Sequence, residues 1–135
     1  AQPLRLVRDP AELPQIDAAI VKAQLFPDDE LEEYRAFLDA KFPDGVASGH
    51  RFGGYPTVLQ NNDLERQAEH ASVGDAPEES QQGWRDAARW RLLLQLDSDD
   101  EFMWGTDSGM IYFLIHEDDL AKRDFARVKA FCEGY

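Results

Sequence analysis

The chain has 135 residues, and its content of 43% hydrophobic and 11% aromatic residues is typical of one globular domain and excludes a wholly disordered protein. Its 27 acidic and 14 basic residues give a formal net charge of −13, which is spread along the chain and disfavours binding to nucleic acid or to an anionic membrane. A single cysteine excludes an internal disulfide, and no apolar run approaches the roughly 20 residues of a membrane span, so we expect a cytoplasmic protein.

Local patterns predict three helices in the first half of the chain, over residues 10–24, 28–42 and 62–71. The second has the clearest pattern, an apolar stripe that recurs every three or four residues: Leu31, Tyr34, Phe37, Leu38 and Phe42. Carboxylates crowd its first turns, where they complement the helix dipole: Asp28, Asp29, Glu30, Glu32 and Glu33. Residues 72–82, which are polar and contain Gly and Pro, predict an exposed loop.

The last third of the chain predicts three strands, over residues 90–96, 110–115 and 125–133. The first alternates, and we expect one face to carry Trp90, Leu92, Leu94 and Leu96. The second is apolar on both faces, which is typical of a central strand covered on both sides. In the third we expect Ala126, Val128, Ala130 and Cys132 to face inward and Arg127, Lys129 and Glu133 to face outward. An inward Cys132 would be a buried and unreactive thiol.

These elements predict one α+β domain over residues 1–135, in which an antiparallel sheet with a C-terminal three-stranded meander is packed by N-terminal helices. The strand order separates two acidic groups. We expect Asp97, Asp99, Asp100, Glu101 and Asp107 at one end of the sheet. We expect Glu117, Asp118 and Asp119 at the opposite end, near Arg89 and Arg91.

Candidate catalytic and metal-binding patterns are weak. The three histidines lie in different segments and lack the spacing of metal ligands. The acidic run from Asp97 resembles the start of a calcium loop, but the sixth and twelfth positions, which need Gly and Glu, hold Phe102 and Ser108. We therefore expect no catalytic residue, no metal ligand and no cofactor. A divalent-cation site, or a metal-dependent enzyme that uses the Asp97–Asp107 loop, is the alternative.

Two acidic surfaces are the candidates for binding a partner. The acidic loop comes first, because Trp104 either packs on the core or forms an aromatic anchor among carboxylates. Its candidate residues are Asp97, Asp99, Asp100, Glu101, Trp104 and Asp107. The acidic helix start comes second, and its candidate residues are Asp28, Asp29, Glu32 and Glu33. A basic protein is the expected partner, since opposite charge steers association.

Several segments are similar to the YwqG-like family of bacterial proteins of unknown function. They are His50-Arg51-Phe52-Gly53-Gly54-Tyr55-Pro56, Leu92-Leu93-Leu94-Gln95-Leu96-Asp97-Ser98, Met103-Trp104-Gly105, Ile111-Tyr112-Phe113-Leu114-Ile115 and Asp124-Phe125-Ala126-Arg127-Val128. The resemblance covers roughly residues 50–135, and residues 1–49, which we expect to be helical, carry no part of it. The recurring Gly-Gly-Tyr-Pro, Gln-x-Asp-Ser and Trp-Gly elements equally fit structural roles as turn glycines, a buried amide and a packed indole.

The resemblance implies a mixed α+β fold, no established enzyme activity and a genetic context beside bacterial polymorphic toxins, for which some family members are immunity proteins. Together with the charge, it leads us to expect a non-enzymatic immunity protein that neutralises a cognate basic toxin, such as a secreted nuclease. A general interaction domain without a toxin partner is a second alternative. We expect a monomer or a weak homodimer that pairs through the outer strand over residues 125–133.

Overall fold

The computed structural model describes residues 13–14, 18–24, 26–45, 49–60, 63–74, 80–99 and 108–135. In this part of the chain the elements are α1 (Ala19–Lys22), α2 (Asp28–Lys41), β1 (Arg51–Phe52), α3 (Leu64–Val73), α4 (Gln81–Ala87), β2 (Trp90–Asp97), β3 (Gly109–His116), α5 (Glu117–Ala121) and β4 (Lys129–Gly134). A 3₁₀ turn, Phe125–Arg127, precedes β4. No helix among the described residues is both long enough and apolar enough to cross a membrane.

The strands form one antiparallel sheet in the order β1-β2-β3-β4. The predicted α+β class and the C-terminal meander are therefore confirmed. Tyr112, at the centre of β3, lies opposite Gln95 of β2 and Phe131 of β4. Because directly paired residues point to the same face, this row defines the inner face of the sheet.

A β-bulge changes the phase of β2. Between Leu92 and Leu94 the pairing with β3 shifts by one residue. Beyond this shift Gln95, which is 0% exposed, lies on the inner face, and Leu94 and Leu96 lie half-buried on the opposite, outer face. The prediction that these leucines share a face with Trp90 is therefore wrong after the bulge, because a period-two pattern contains no sign of an inserted residue.

The phase of β4 is also the reverse of the prediction. Glu133 lies opposite Met110 on the inner face and is 3% exposed, and Phe131 packs against the core. Ala130 and Cys132 lie exposed on the outer face, so Cys132 is not the buried thiol that the pattern predicted. The physical reason is that one large aromatic side chain, together with hydrogen bonds to Glu133, decides the orientation of a short edge strand.

The core lies between the inner face of the sheet and α3. Its buried members are Leu64, Ala68, Trp90, Leu92, Met110, Tyr112 and Leu114. The segment over residues 55–60 closes one side of it through Val58 and Leu59. On the outer face of β3, Ile115 is buried but Ile111 and Phe113 are half-buried, so coverage of the two faces is unequal among the described residues.

The predicted helices differ in how well they match the structure. The helix expected over 28–42 is present as α2, and the one expected over 62–71 is present as α3, shifted by two residues. Part of the helix expected over 10–24 is present as α1. Residues 10–12 and 15–17 of that range lie outside the described residues. The loop expected over 72–82 is shorter at both ends, because α3 continues to Val73 and α4 begins at Gln81; residues 75–79 lie outside the described residues.

Ser80 explains where α4 begins, because its hydroxyl oxygen accepts a hydrogen bond from the Gly83 amide at 3.1 Å. We expect Ser80→Ala to lower the free energy of unfolding by about 1 kcal/mol, since it removes this cap. Ser80→Asp, which keeps an acceptor, should stay within about 0.3 kcal/mol of the wild type. Urea denaturation measures both changes, and equal losses in the two variants would contradict a capping role.

Candidate functional site

The first acidic surface is described only in part. Asp97 and Asp99 are described, and the other predicted members, Asp100, Glu101, Trp104 and Asp107, lie outside the described residues. The Asp97 carboxylate accepts a hydrogen bond from the Tyr135 hydroxyl at 2.7 Å. The Asp97 amide donates to His50 Nδ1 at 3.1 Å, and the other nitrogen of His50 lies 3.6 Å from the Asp99 carboxylate. Both aspartates therefore have partners within the protein that order the end of β2.

The described residues of the first acidic surface do not form a metal centre. Among the described ranges, no group of three or more His, Cys, Asp or Glu side chains is arranged to hold a metal ion. His50 uses one ring nitrogen as an acceptor for a backbone amide, which leaves the second nitrogen to face Asp99. This arrangement joins the segment before β1 to the end of β2 and serves the structure of the turn.

The amide of Gln95 joins two chain segments over the inner face. Its oxygen accepts a hydrogen bond from the Thr57 amide at 2.8 Å, and its nitrogen donates to the Gly49 carbonyl at 2.9 Å. Between these two points, Gly53 and Gly54 have φ values of 68° and 73°, which favour glycine over residues with a Cβ. The Gly-Gly-Tyr-Pro and Gln-x-Asp-Ser elements thus meet here as turn glycines and a buried amide.

A buried Tyr–Glu pair lies next to this amide. The Tyr112 hydroxyl donates towards the Thr57 carbonyl at 2.8 Å and towards Glu133 Oε2 at 3.0 Å. Burial, and then the nearby Glu133 carboxylate, raise the pKa of Tyr112, so its hydroxyl stays protonated and acts as a donor. Sequence reasoning missed Glu133, because alternation placed it outward. The available signal was the single hydroxyl of Tyr112 in an otherwise apolar strand, since a buried Tyr needs a polar partner.

The second acidic surface, the acidic helix start, is exposed in full. Its predicted members, Asp28, Asp29, Glu32 and Glu33, all lie exposed on the first two turns of α2. No residue of this helix is buried against the described part of the chain. Of these four carboxylates, Glu32 contacts a described cation, Arg35, at 3.7 Å. This ion pair is weak, because both side chains are exposed.

An aromatic side chain lies beside these carboxylates. Phe37 is 52% exposed, although the sequence pattern placed it in the apolar stripe of α2. The other stripe residues, Leu31, Tyr34, Leu38 and Phe42, are half-buried. Asp29, Glu33 and Phe37 are each four residues apart and therefore form one row along the helix surface. Phe26, which precedes the helix, is a second exposed aromatic residue, at 43%. We call Asp29, Glu33 and Phe37 the α2 row.

The far end of the sheet holds the second predicted acidic group, and its predicted position near Arg89 and Arg91 is confirmed for Glu117 and Asp118. Asp119 instead contacts Arg127, at 3.6 Å. Arg89 contacts Glu117 and Asp118, each at 2.8 Å, and Arg91 contacts Glu117 at 3.2 Å. The hydrogen bond that Arg89 donates to Glu117 is the main cause of the raised pKa of Arg89. These carboxylates are engaged within the protein and tie α5 to β2.

Comparison with known proteins places the chain in a family. A family model described as a domain of unknown function, DUF1963, matches residues 3–133. The match takes in the N-terminal helices as well as the sheet. No curated protein matches this sequence. Because the matched residues make up nearly the whole chain, the protein belongs to the DUF1963 family.

Proposed function

We propose that this protein is a non-enzymatic binding protein that uses its acidic surface to capture a basic protein partner in the cytoplasm. The observation that carries the proposal is the α2 row, in which two exposed carboxylates adjoin an aromatic ring that is 52% exposed. Carboxylates of this kind attract and orient a basic partner, and an exposed aromatic ring supplies apolar contact at the centre of an interface.

The net charge supports the same function. A formal charge of −13 on 135 residues produces a negative potential that accelerates encounter with a cationic protein and slows encounter with nucleic acid. The field reaches roughly 10 Å at an ionic strength of 0.1 M, so the expected association is strongly salt-dependent. The charge acts on association rate, while the packing around Phe37 acts on the lifetime of the complex.

The proposed partner is a bacterial toxin, and the protein is then its immunity protein. This finer proposal is supported by the resemblance of residues 50–135 to the YwqG-like family, whose members include immunity proteins encoded beside polymorphic toxins. A basic nuclease is the toxin class that best fits, because its cationic active site is complementary to an acidic inhibitor.

Co-expression tests the toxin proposal directly. Cells that express the toxin encoded beside this gene should grow when this protein is also present, and the two proteins should elute as one complex at 50 mM salt. Failure of protection together with failure to form a complex contradicts the immunity role. Complex formation without protection points instead to a general interaction domain.

Charge removal in the α2 row tests which surface binds. We expect Asp29→Asn with Glu33→Gln to weaken the complex about 10-fold, because two interfacial carboxylates contribute roughly 0.7 kcal/mol each. The matched control is Asp39→Asn with Asp44→Asn, which removes the same charge from exposed positions away from the row. The control should weaken the complex less than about threefold. Titration calorimetry measures both, and equal effects would show that only net charge matters.

A further inference from the structure

Two buried polar atoms at the edge of the core have no hydrogen-bond partner within the described chain. One is Oε1 of Glu133, a residue that is 3% exposed, and the other is Oγ1 of Thr57, which is 6% exposed. The second carboxylate oxygen of Glu133 is well satisfied, since it accepts from the Leu59 amide at 2.9 Å and from the Tyr112 hydroxyl at 3.0 Å. Glu133 therefore lacks a described hydrogen-bond partner at Oε1 and not at Oε2.

The two residues belong, through their other oxygens, to one polar cluster. The Tyr112 hydroxyl lies 2.8 Å from the Thr57 carbonyl oxygen and 3.0 Å from Glu133 Oε2. These two acceptors are consequently within roughly 6 Å of each other, a separation that a chain of two hydrogen bonds spans. The segment that holds Thr57 and the edge strand β4 thus face each other across a short polar gap.

Glu133 Oε1 and Thr57 Oγ1 need a further partner, because neither has one within hydrogen-bond distance in the described chain. Tyr112 has one hydroxyl hydrogen but two acceptors within reach, so it cannot satisfy both at full strength. A carboxylate oxygen only accepts, whereas the Thr57 hydroxyl both donates and accepts. A group that donates to Glu133 Oε1 and hydrogen-bonds with Thr57 Oγ1 completes the cluster. A water molecule has this combination of donors and acceptors and is small enough for a buried position.

We propose that Glu133 Oε1 and Thr57 Oγ1 bind one ordered internal water molecule, which joins the Gly-Gly-Tyr-Pro-Thr segment to β4. Buried waters of this kind make about three hydrogen bonds to polar groups that lack protein partners. The water completes the polar cluster of Gln95, Tyr112 and Glu133, and it holds residues 53–60 against the inner face of the sheet.

The valine variant of Thr57 distinguishes a bound water from an unpaired hydroxyl, because the two cases predict changes of opposite sign. With a bound water, Thr57→Val removes one of its anchors and leaves Glu133 unsatisfied, so the unfolding constant should rise about 5- to 10-fold. Without a water, replacing an unpaired buried hydroxyl by a methyl group should leave the unfolding constant equal or lower. Thr57→Ser, which keeps the hydroxyl, should stay within about threefold of the wild type.

A direct observation supports or overturns the proposal even if the valine variant does not fold. In the wild-type protein, a water–amide rotating-frame Overhauser signal at Leu59 or Thr57, together with an electron-density peak about 2.8 Å from both oxygens, is the expected result. A direct Thr57–Glu133 hydrogen bond with no peak between them overturns it. A peak that acquires the anomalous signal of Rb⁺ after soaking also overturns it, because the bound group is then a monovalent cation.

Discussion

Gln95→Leu is expected to lower the free energy of unfolding by about 3 kcal/mol, although leucine nearly preserves the volume of the side chain. The loss arises from two backbone groups, the Thr57 amide and the Gly49 carbonyl, which lose the side-chain partners they have at 2.8 Å and 2.9 Å. Gln95 is 0% exposed, so the freed amide and carbonyl lie where water does not readily replace the lost hydrogen bonds.

Gln82→Leu is the matched control for this substitution. Gln82 donates to the Asp86 carboxylate at 2.9 Å on an exposed surface of α4, where water replaces the lost hydrogen bond. Its expected effect is within about 0.5 kcal/mol. Urea denaturation followed by tryptophan fluorescence measures both variants. A Gln95→Leu protein as stable as the control would mean that the amide network contributes little and that apolar packing alone holds residues 49–57.

Glu65 is expected to make the protein less stable as the pH rises from 5 to 8. The residue lies on the first turn of α3 and is 7% exposed. Burial, the largest cause, raises the pKa of its carboxyl group to about 7, and repulsion from Asp63 adds to this effect. A backbone hydrogen bond to the carboxylate, and then attraction to Arg91 and Lys22, lower the pKa but do not cancel this effect.

The direction of this pH dependence follows from the number of protons that Glu65 binds in the folded and unfolded states. With a folded pKa of about 7 and an ordinary glutamate pKa of 4.5, the native protein holds a proton that the unfolded chain releases between these two pH values. The stabilisation is therefore fully present below the unfolded pKa and is lost as the pH rises through about 7. Between the two limits the change for this one group is about 3 kcal/mol.

Glu65→Gln isolates this group from the other carboxylates. The variant should match the wild type in stability near pH 4.5 and exceed it by about 3 kcal/mol at pH 8, because glutamine carries no charge to bury. Glu30→Gln, at an exposed position of α2, should show no such pH-dependent difference. Unfolding midpoints at half-unit pH steps measure the effect. A constant difference between Glu65→Gln and wild type at all pH values would contradict the assignment to Glu65.

The parts of the structure that the sequence predicted well are those determined by neighbours along the chain or by the order of the strands. The helix α2 follows from carboxylates at its start and from three- and four-residue spacing of apolar side chains. The pairing of Arg89 and Arg91 with Glu117 follows from strand order, since an antiparallel pair brings the start of β2 to the end of β3. The helix needed only short-range rules, whereas the ion pairs join residues 26 and 28 positions apart and needed the order of the strands as well.

The candidate site was only partly predictable, and the row in α2 shows why. Asp29 and Glu33 were predicted from their positions at a helix start, and the structure places them on the exposed surface. Phe37 was expected in the apolar stripe and is 52% exposed. The spacing of Phe37 places it on the same helix face as the other apolar residues. Which edge of that face contacts the rest of the protein depends on how the helix is placed in the fold.

By itself, then, the sequence determined the α+β class, the order of the three long strands, the main helix and the acidic character of its first turns. Only the tertiary structure decided the phase of β2 and β4, the burial of Gln95, Glu65 and Glu133, and the exposure of Phe37 and Cys132. The physical reason is that helix and strand periodicity depends on residues a few positions apart. Burial of a polar side chain depends instead on partners such as Thr57 and Tyr112, which lie far away in the sequence and meet it only in the fold.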